Sequence, residues 1–174
     1  MALILSEPTI IERGPYSVVG AYCTYTGDRP EDEGPGWSGA YEAFQKRRHE
    51  ITNRTDDMML GFLYRPHKDD AAIPEDVRAC FVGVEVTDLD HIPAGMAVTR
   101  FSGGQYVIVA CRGDVQDEAA AGVGEAIEYL SKWMPENGYR EGDACFACSH
   151  ENAVRPPYIE YVYIKIEKQH EGRG

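Results

Sequence analysis

The segment VTRFSGGQYVIVACRG at residues 98–113, followed after an acidic run by GVGEAIEYLSKWMPENGY at residues 122–139, decides the fold. The first part is a β-branched and aromatic run entered through a glycine pair, which is typical of a strand. The second part has apolar residues at helical spacing, and Pro135 and Gly138 are expected to stop the helix. We therefore predict strand, loop, helix and turn in this order.

The same order occurs earlier in the chain. A β-rich run at 16–25 precedes a helical pattern at 37–51, and the second predicted helix covers 117–134. Further strands are predicted at 58–64, 80–86, 144–149 and 158–167. A repeat of this length indicates two copies of one supersecondary unit.

Each copy is predicted to be strand-strand-helix-strand-strand. Two such copies give an α+β fold, an eight-stranded antiparallel sheet with two helices on one face and a groove between the helices where the halves meet. We predict a single domain over 1–174, with pseudo-repeats at about 8–87 and 96–167 and a polar tail at 168–174.

The charge of the chain limits its partners. A formal net charge of −12 repels phosphate backbones and anionic membranes, so direct nucleic-acid binding is not expected. No apolar run reaches the roughly 20 residues of a membrane helix, and the first residues lack the basic start of a secretory signal. We predict a cytoplasmic protein whose five cysteines are reduced thiols.

One cysteine pair resembles a metal or redox motif. Cys145 and Cys148 are separated by two residues, with His150 nearby. A redox pair belongs at a helix N-terminus, whereas these two lie in a predicted strand that points their sulfurs to opposite faces. No second cysteine pair completes a zinc site. We therefore predict packing roles, no metal and no cofactor.

Glu160 is the most informative acidic residue. Alternation in the last strand places it on one face with the aliphatic side chains expected under the helices. These side chains are Val162, Ile164 and Ile166, with Tyr158 at the start of the strand. A buried carboxylate must be paired, protonated or held for a cationic ligand. Alternatively, Glu160 lies near the sheet margin and reaches water or pairs with Arg155.

Several segments together resemble the GyrI-like small-molecule-binding domain. They are GGQY at 103–106, WMPENGY at 133–139, Phe146 and EYVYIKI at 160–166. This domain also forms the effector-binding part of AraC-type and multidrug-responsive transcription regulators. The resemblance is strongest over 84–166. It implies the fold derived above and a pocket between the helices for lipophilic, often cationic, aromatic compounds.

One position departs from the family pattern. Many members have Phe-Glu where this chain has Phe146-Ala147, so the usual pocket carboxylate is missing and Glu160 is the candidate replacement. No helix-turn-helix segment is recognised, so the chain resembles the stand-alone members.

The leading hypothesis is a stand-alone multidrug-binding protein for small hydrophobic aromatic cations. Aromatic side chains would line the site and Glu160 would supply the charge. The residues implied are Trp37, Tyr41, Phe44, Trp133, Tyr139 and Phe146. For the aromatic stripe on the first helix, packing in the core is the commoner role.

Two alternatives stay open. Some stand-alone relatives hydrolyse cyclopropane-bearing genotoxins, and here Glu160 would be the base with Tyr41 or Tyr139 as the hydrogen-bond donor. Other members bind and restrain DNA gyrase, and the acidic surface could mimic DNA in such a protein-interaction module. The sequence leaves open whether the protein is an enzyme, and its oligomeric state.

Overall fold

The computed structural model describes residues 3–27, 30, 36–66, 71–150 and 155–170. The fold is α+β, with a large antiparallel sheet of nine strands and two α-helices, as the sequence class predicted. In chain order the elements are β1 (Ile4–Leu5), β2 (Thr9–Arg13), β3 (Tyr16–Tyr25), α1 (Gly36–Arg47), a short 3₁₀-helix (Arg48–Glu50), β4 (Arg54–Tyr64), β5 (Arg78–Val86), β6 (Ala97–Phe101), β7 (Gly104–Gly113), α2 (Gln116–Glu136), β8 (Tyr139–His150) and β9 (Tyr158–Lys168).

The strand that raises the number from the predicted eight to nine is β1. It has two residues, too few to show a periodic pattern, and it pairs with β7 through Ile4 opposite Arg112 and Leu5 opposite Cys111. Its existence depends on a partner far along the chain, which local sequence does not reveal.

The chain divides into two compact units that differ from the two sequence halves. Unit one comprises Met1–Pro15 and Phe101–Gly174, and unit two comprises Tyr16–Arg100. In unit one, β2 of the first repeat pairs with β7 of the second. In unit two, β6 of the second repeat lies next to β3 of the first. Each repeat therefore gives its first strand to the other unit, and the single-domain assignment stays a prediction.

Unit one has its core between α2 and one face of its strands. The strand order is β7-β9-β8, and both β1 and β2 pair with β7. The core side chains of the α2-facing side are Val107, Val109, Cys111, Val162, Ile164 and Ile166 from the strands and Ala126, Leu130 and Met134 from α2. This alternation confirms the face predicted for Val162, Ile164 and Ile166.

The second helix is slightly longer than predicted. It runs through Pro135 to Glu136, so the expectation that Pro135 stops the helix was wrong. The backbone N–H of Asn137 donates to the carbonyls of Trp133 and Met134. Gly138 follows with φ of 81°, so the predicted glycine stop is confirmed.

Unit two repeats this construction with the strand order β4-β5-β3-β6. Residues Cys80, Val82 and Val84 of β5 face α1 in a buried core, as the alternation predicted. Phe44 and Ala40 of α1 complete this core. Within the described ranges, no helix has the length and apolar character needed to cross a membrane.

Candidate functional site

Glu160 lies on the α2-facing side of unit one. Its cross-strand neighbour on β7 is Cys111, which belongs to the core under α2. The side chain is half-buried, and this burial raises the pKa of the carboxyl group above its ordinary value. The hydroxyl of Ser149 donates a hydrogen bond to the carboxylate and partly offsets the rise in pKa.

Within the described part of the chain, no basic side chain neutralises Glu160. Among the described residues, the groups that shift its pKa include no arginine or lysine, and Arg155 is not one of its partners. Glu160 therefore does not pair with Arg155, which was one of the roles considered from the sequence. A half-buried carboxylate held by one neutral hydroxyl can attract a cationic group.

Cys111 marks the place where α2 comes closest to the sheet. Its Sγ donates a hydrogen bond to the carbonyl oxygen of Gly122, 3.4 Å away. The pKa of this thiol is raised to about 11, mainly by burial and to a smaller extent by the charges of Glu160 and Glu125. The thiol is therefore neutral at physiological pH. It is a packing group between two carboxylates and not a nucleophile.

A surface depression opens near Tyr158, and Glu160 is not one of its lining residues. It has a volume of about 300 Å³ and lies where β7 leads into α2. Its lining residues are Asp114, Val115, Gln116, Asp117 and Tyr158. Tyr158 precedes Glu160 by two residues on β9, so the two side chains share a side of the sheet. The space is at the small end of the range for ligand sites.

Trp133 and Tyr139 form a ring pair at the other end of α2. Their ring centroids are 6.0 Å apart and the ring planes differ by 6°, a stacked arrangement. Both side chains are half-buried and pack against the core of unit one. In the β8–β9 register Tyr139 lies opposite Lys168.

The ring pair and Glu160 are far apart. Glu160 is eight residues from Lys168 along β9, the partner of Tyr139. At about 3.3 Å per residue this corresponds to a separation of about 26 Å. The structure therefore does not bring Tyr139 and Glu160 together, although both are on the α2-facing side.

Phe146 lies on the opposite side of unit one. It pairs with Tyr163 across β8 and β9, and the two rings stack with centroids 4.9 Å apart. Tyr106 packs edge-on nearby, and Phe146 itself is buried. Because the strand period is two, Glu160 and Tyr163 face opposite ways. Phe146 is therefore not grouped with Glu160, whereas Ala147 is, since it lies opposite Val162.

The candidates from unit two have different surroundings. Phe44 is fully buried in the core, while Trp37 and Tyr41 are 37% and 47% exposed. The Trp37 ring lies over β4, where a Cβ at Gly61 would be 3.4 Å from its Cζ3. Core packing therefore accounts for Phe44. Trp37 and Tyr41 have accessible ring surface.

The predicted geometry of the Cys145/Cys148 pair is confirmed. Cys145 lies opposite Ile164 on the α2-facing side, and Cys148 lies opposite Tyr161 on the other. Neither forms a disulfide. The pKa of Cys145 is raised to about 11, mainly by burial and to a smaller extent by the nearby charge of Glu141.

Sequence reasoning missed Ser149, Cys111 and Glu141 as neighbours of the candidate groups. Alternation along β8 would have placed Glu141 on the face of Tyr139. The proximity of Ser149 and Cys111 to Glu160 depends on strand register, for which no local signal exists.

Residues 6–167 match the family described as GyrI-like small molecule binding domain. Similar solved structures include SAV2435 bound to tetraphenylphosphonium, with a TM-score of 0.68, 15% identity, and coverage of 93% of this chain and 94% of that one. The EcmrR C-terminal domain is similar with a TM-score of 0.61 and 15% identity, and the match covers 93% of this chain and 98% of that one. A hydrolase from Listeria innocua is similar with a TM-score of 0.53 and 13% identity, and the match covers 92% of each chain.

At these identities the structural similarities establish the fold alone. No curated protein sequence matches the chain.

Proposed function

Because the chain belongs to the GyrI-like small-molecule-binding domain family, we propose that it binds lipophilic aromatic cations. The ligand's positive charge meets Glu160 on the α2-facing side of unit one. The observation that supports this most is the carboxylate itself, which is half-buried and has no arginine or lysine partner among the described residues. The similar protein SAV2435 has been solved with tetraphenylphosphonium, and we take this class of cation for the present chain.

The chemistry of the surroundings favours a delocalised cation. Moving a carboxylate out of water costs free energy that only a close positive charge restores. An aryl phosphonium or similar ion carries little bound water, so it loses less hydration than an ammonium ion does. Ala147 and Cys145 provide small apolar contacts on the same side of β8, beside Val162.

Calorimetric titration with tetraphenylphosphonium tests this proposal. Glu160→Gln should weaken binding about ten-fold, since it removes a charge from a poorly hydrated site. Glu128→Gln removes the same charge from an exposed pair with Lys132 and should leave the affinity within about two-fold. Tetraphenylborate, with the same shape and opposite charge, should bind more weakly to the wild type than to Glu160→Gln.

Equal affinity of the wild type and Glu160→Gln for tetraphenylphosphonium would contradict the role of Glu160. Stronger binding of tetraphenylborate than of tetraphenylphosphonium to the wild type would contradict the cation preference itself.

Hydrolysis is the second candidate, since one similar structure is described as a hydrolase. Glu160 would activate water, whereas Tyr139 is about 26 Å away along the sheet and is not placed to donate to the same substrate. Incubation with a cyclopropane-bearing genotoxin, followed by mass spectrometry for a ring-opened hydrated product, tests it. The cytoplasmic location, the gyrase-restraining role and the groove between the helices stay predictions.

A further inference from the structure

A second constellation of cation-attracting groups lies at the C-terminal end of α2. Trp133 and Tyr139 present two nearly parallel, half-buried rings with centroids 6.0 Å apart. Ring faces attract cations, most strongly those of tryptophan. An aromatic cation can therefore stack on this pair and gain both ring contact and charge–quadrupole attraction.

Glu141 supplies a carboxylate at the same place. It lies opposite Ile166, so it shares the α2-facing side with Tyr139, two residues earlier on β8. Its charge raises the pKa of the Cys145 thiol on the same side, after the larger effect of burial. Glu141 is exposed and forms no ion pair within the described part of the chain, whereas the adjacent Arg140 pairs with Glu167 at 2.9 Å.

The end of the helix adds negative potential, which the positive charge of Lys168, opposite Tyr139 on the same side, partly offsets. The C-terminal end of a helix carries a partial negative charge, which basic residues in the last turn usually offset. The last turn of α2, all of which is described, contains no basic residue. Asn137 holds the end in place, since its side-chain amide donates to the Trp133 carbonyl at 2.8 Å.

From these observations we infer that Trp133, Tyr139 and Glu141 form a second aromatic-cation site, separate from Glu160. Along β9, Glu160 is about 20 Å from Ile166, the partner of Glu141, and about 26 Å from Lys168, the partner of Tyr139, so one ion of the tetraphenylphosphonium type cannot contact both sites. The inference rests on the proposed preference for aromatic cations but not on Glu160. The protein then binds two such ions per chain, with Glu160 and Glu141 as their separate counter-charges.

The chain has two tryptophans, so each can be made the sole reporter. In a Trp37→Phe background, tetraphenylphosphonium should change the Trp133 emission saturably. Adding Glu141→Gln should weaken this response about five-fold, and adding Glu160→Gln should leave it unchanged. Tyr139→Leu should weaken it about five-fold while Tyr139→Phe, which keeps the ring, should match the background.

Equilibrium dialysis of the wild type should give two bound ions per chain, and one ion for a Glu141→Gln/Tyr139→Leu double variant at the same free concentration. The inference is overturned if tetraphenylphosphonium gives no saturable Trp133 response, or if Glu160→Gln shifts that response as much as Glu141→Gln. If Trp133 emission responds to the ion but Glu160→Gln does not change the number of ions bound in dialysis, the proposed Glu160 site is refuted and the Trp133 site stands. Thermal melting of each variant verifies that it is folded.

Discussion

The two ends of α2 offer a cation different environments. At the end near Cys111 the helix lies close to the sheet, and the carboxylate of Glu160 is half-buried and bonded by one hydroxyl. At the other end, the Trp133–Tyr139 rings are also half-buried, and Glu141 is exposed. Burial strengthens a single charge at the first end, whereas ring surface and an exposed charge act together at the second. The predictions below separate these two cases.

The largest effect is expected at the close approach of α2. A Cβ at Gly122 would be 2.7 Å from a terminal carbon of Leu3, which can move, and 3.2 Å from Cys111 Cβ, which cannot. Gly122→Leu should therefore lower the free energy of unfolding by about 2 kcal/mol. It should also weaken tetraphenylphosphonium binding at Glu160 and spare the Trp133 response.

Gly124 provides the matched control in the same helix. A Cβ there meets nothing within 4 Å, so Gly124→Ala should raise the free energy of unfolding by about 0.5–1 kcal/mol. Urea unfolding measures both changes. A Gly122→Leu protein as stable as the wild type would show that the helix is not held close to Cys111.

Glu160 should make stability depend on pH. Its folded-state pKa lies above the ordinary value of 4.5, so the folded protein holds this proton more tightly than the unfolded chain. The stability that Glu160 contributes is present below pH 4.5 and is lost as the pH rises through the raised pKa of the folded state. Glu160→Gln should remove this loss and stabilise the protein at neutral pH, because the neutral amide has no charged form to bury.

Urea midpoints measured below and above the ordinary glutamate pKa provide the test. Glu128→Gln should keep the wild-type pH dependence, and Cys111, with a pKa of about 11, does not titrate in this window. Cation affinity should follow the opposite course and fall as acid protonates Glu160. An identical pH profile for the wild type and Glu160→Gln would rule out a buried, unpaired carboxylate.

The smallest effect is expected in the ring pair. Because both rings are only half-buried, a double-mutant cycle with Trp133→Leu and Tyr139→Leu should give a coupling of only about 0.5 kcal/mol in the free energy of unfolding. The same cycle measured on tetraphenylphosphonium affinity should show a larger coupling, since the ligand contacts both rings. Zero coupling in both experiments would mean that the pair does not act as one surface.

Much of the fold follows from sequence periodicity. Alternation was enough to place Glu160 on the face of Val162, and helical spacing with Gly138 as the stop located α2. The exchange of β2 and β6 between the units was not predictable, because both strands have the same pattern whichever neighbour they pair with.

The composition of the site was harder to predict for the same reason. Phe146 was expected beside Glu160, but the register pairs it with Tyr163 on the other side of the sheet. Tyr139 shares the side of Glu160 but lies at the far end of the strand. A residue's face can be derived from a period of two, whereas its neighbours on that face depend on pairing between distant segments.

The most direct test of a cation site on the α2-facing side is a titration of isotope-labelled protein with tetraphenylphosphonium, followed by backbone amide NMR. The account predicts two separate groups of shifted signals, one at Ala147, Ser149 and Glu160 and one at Trp133, Tyr139 and Glu141, with only the first reduced in Glu160→Gln. Shifts confined to the Phe146 and Tyr163 side, or no saturable shifts in the folded protein, would contradict it.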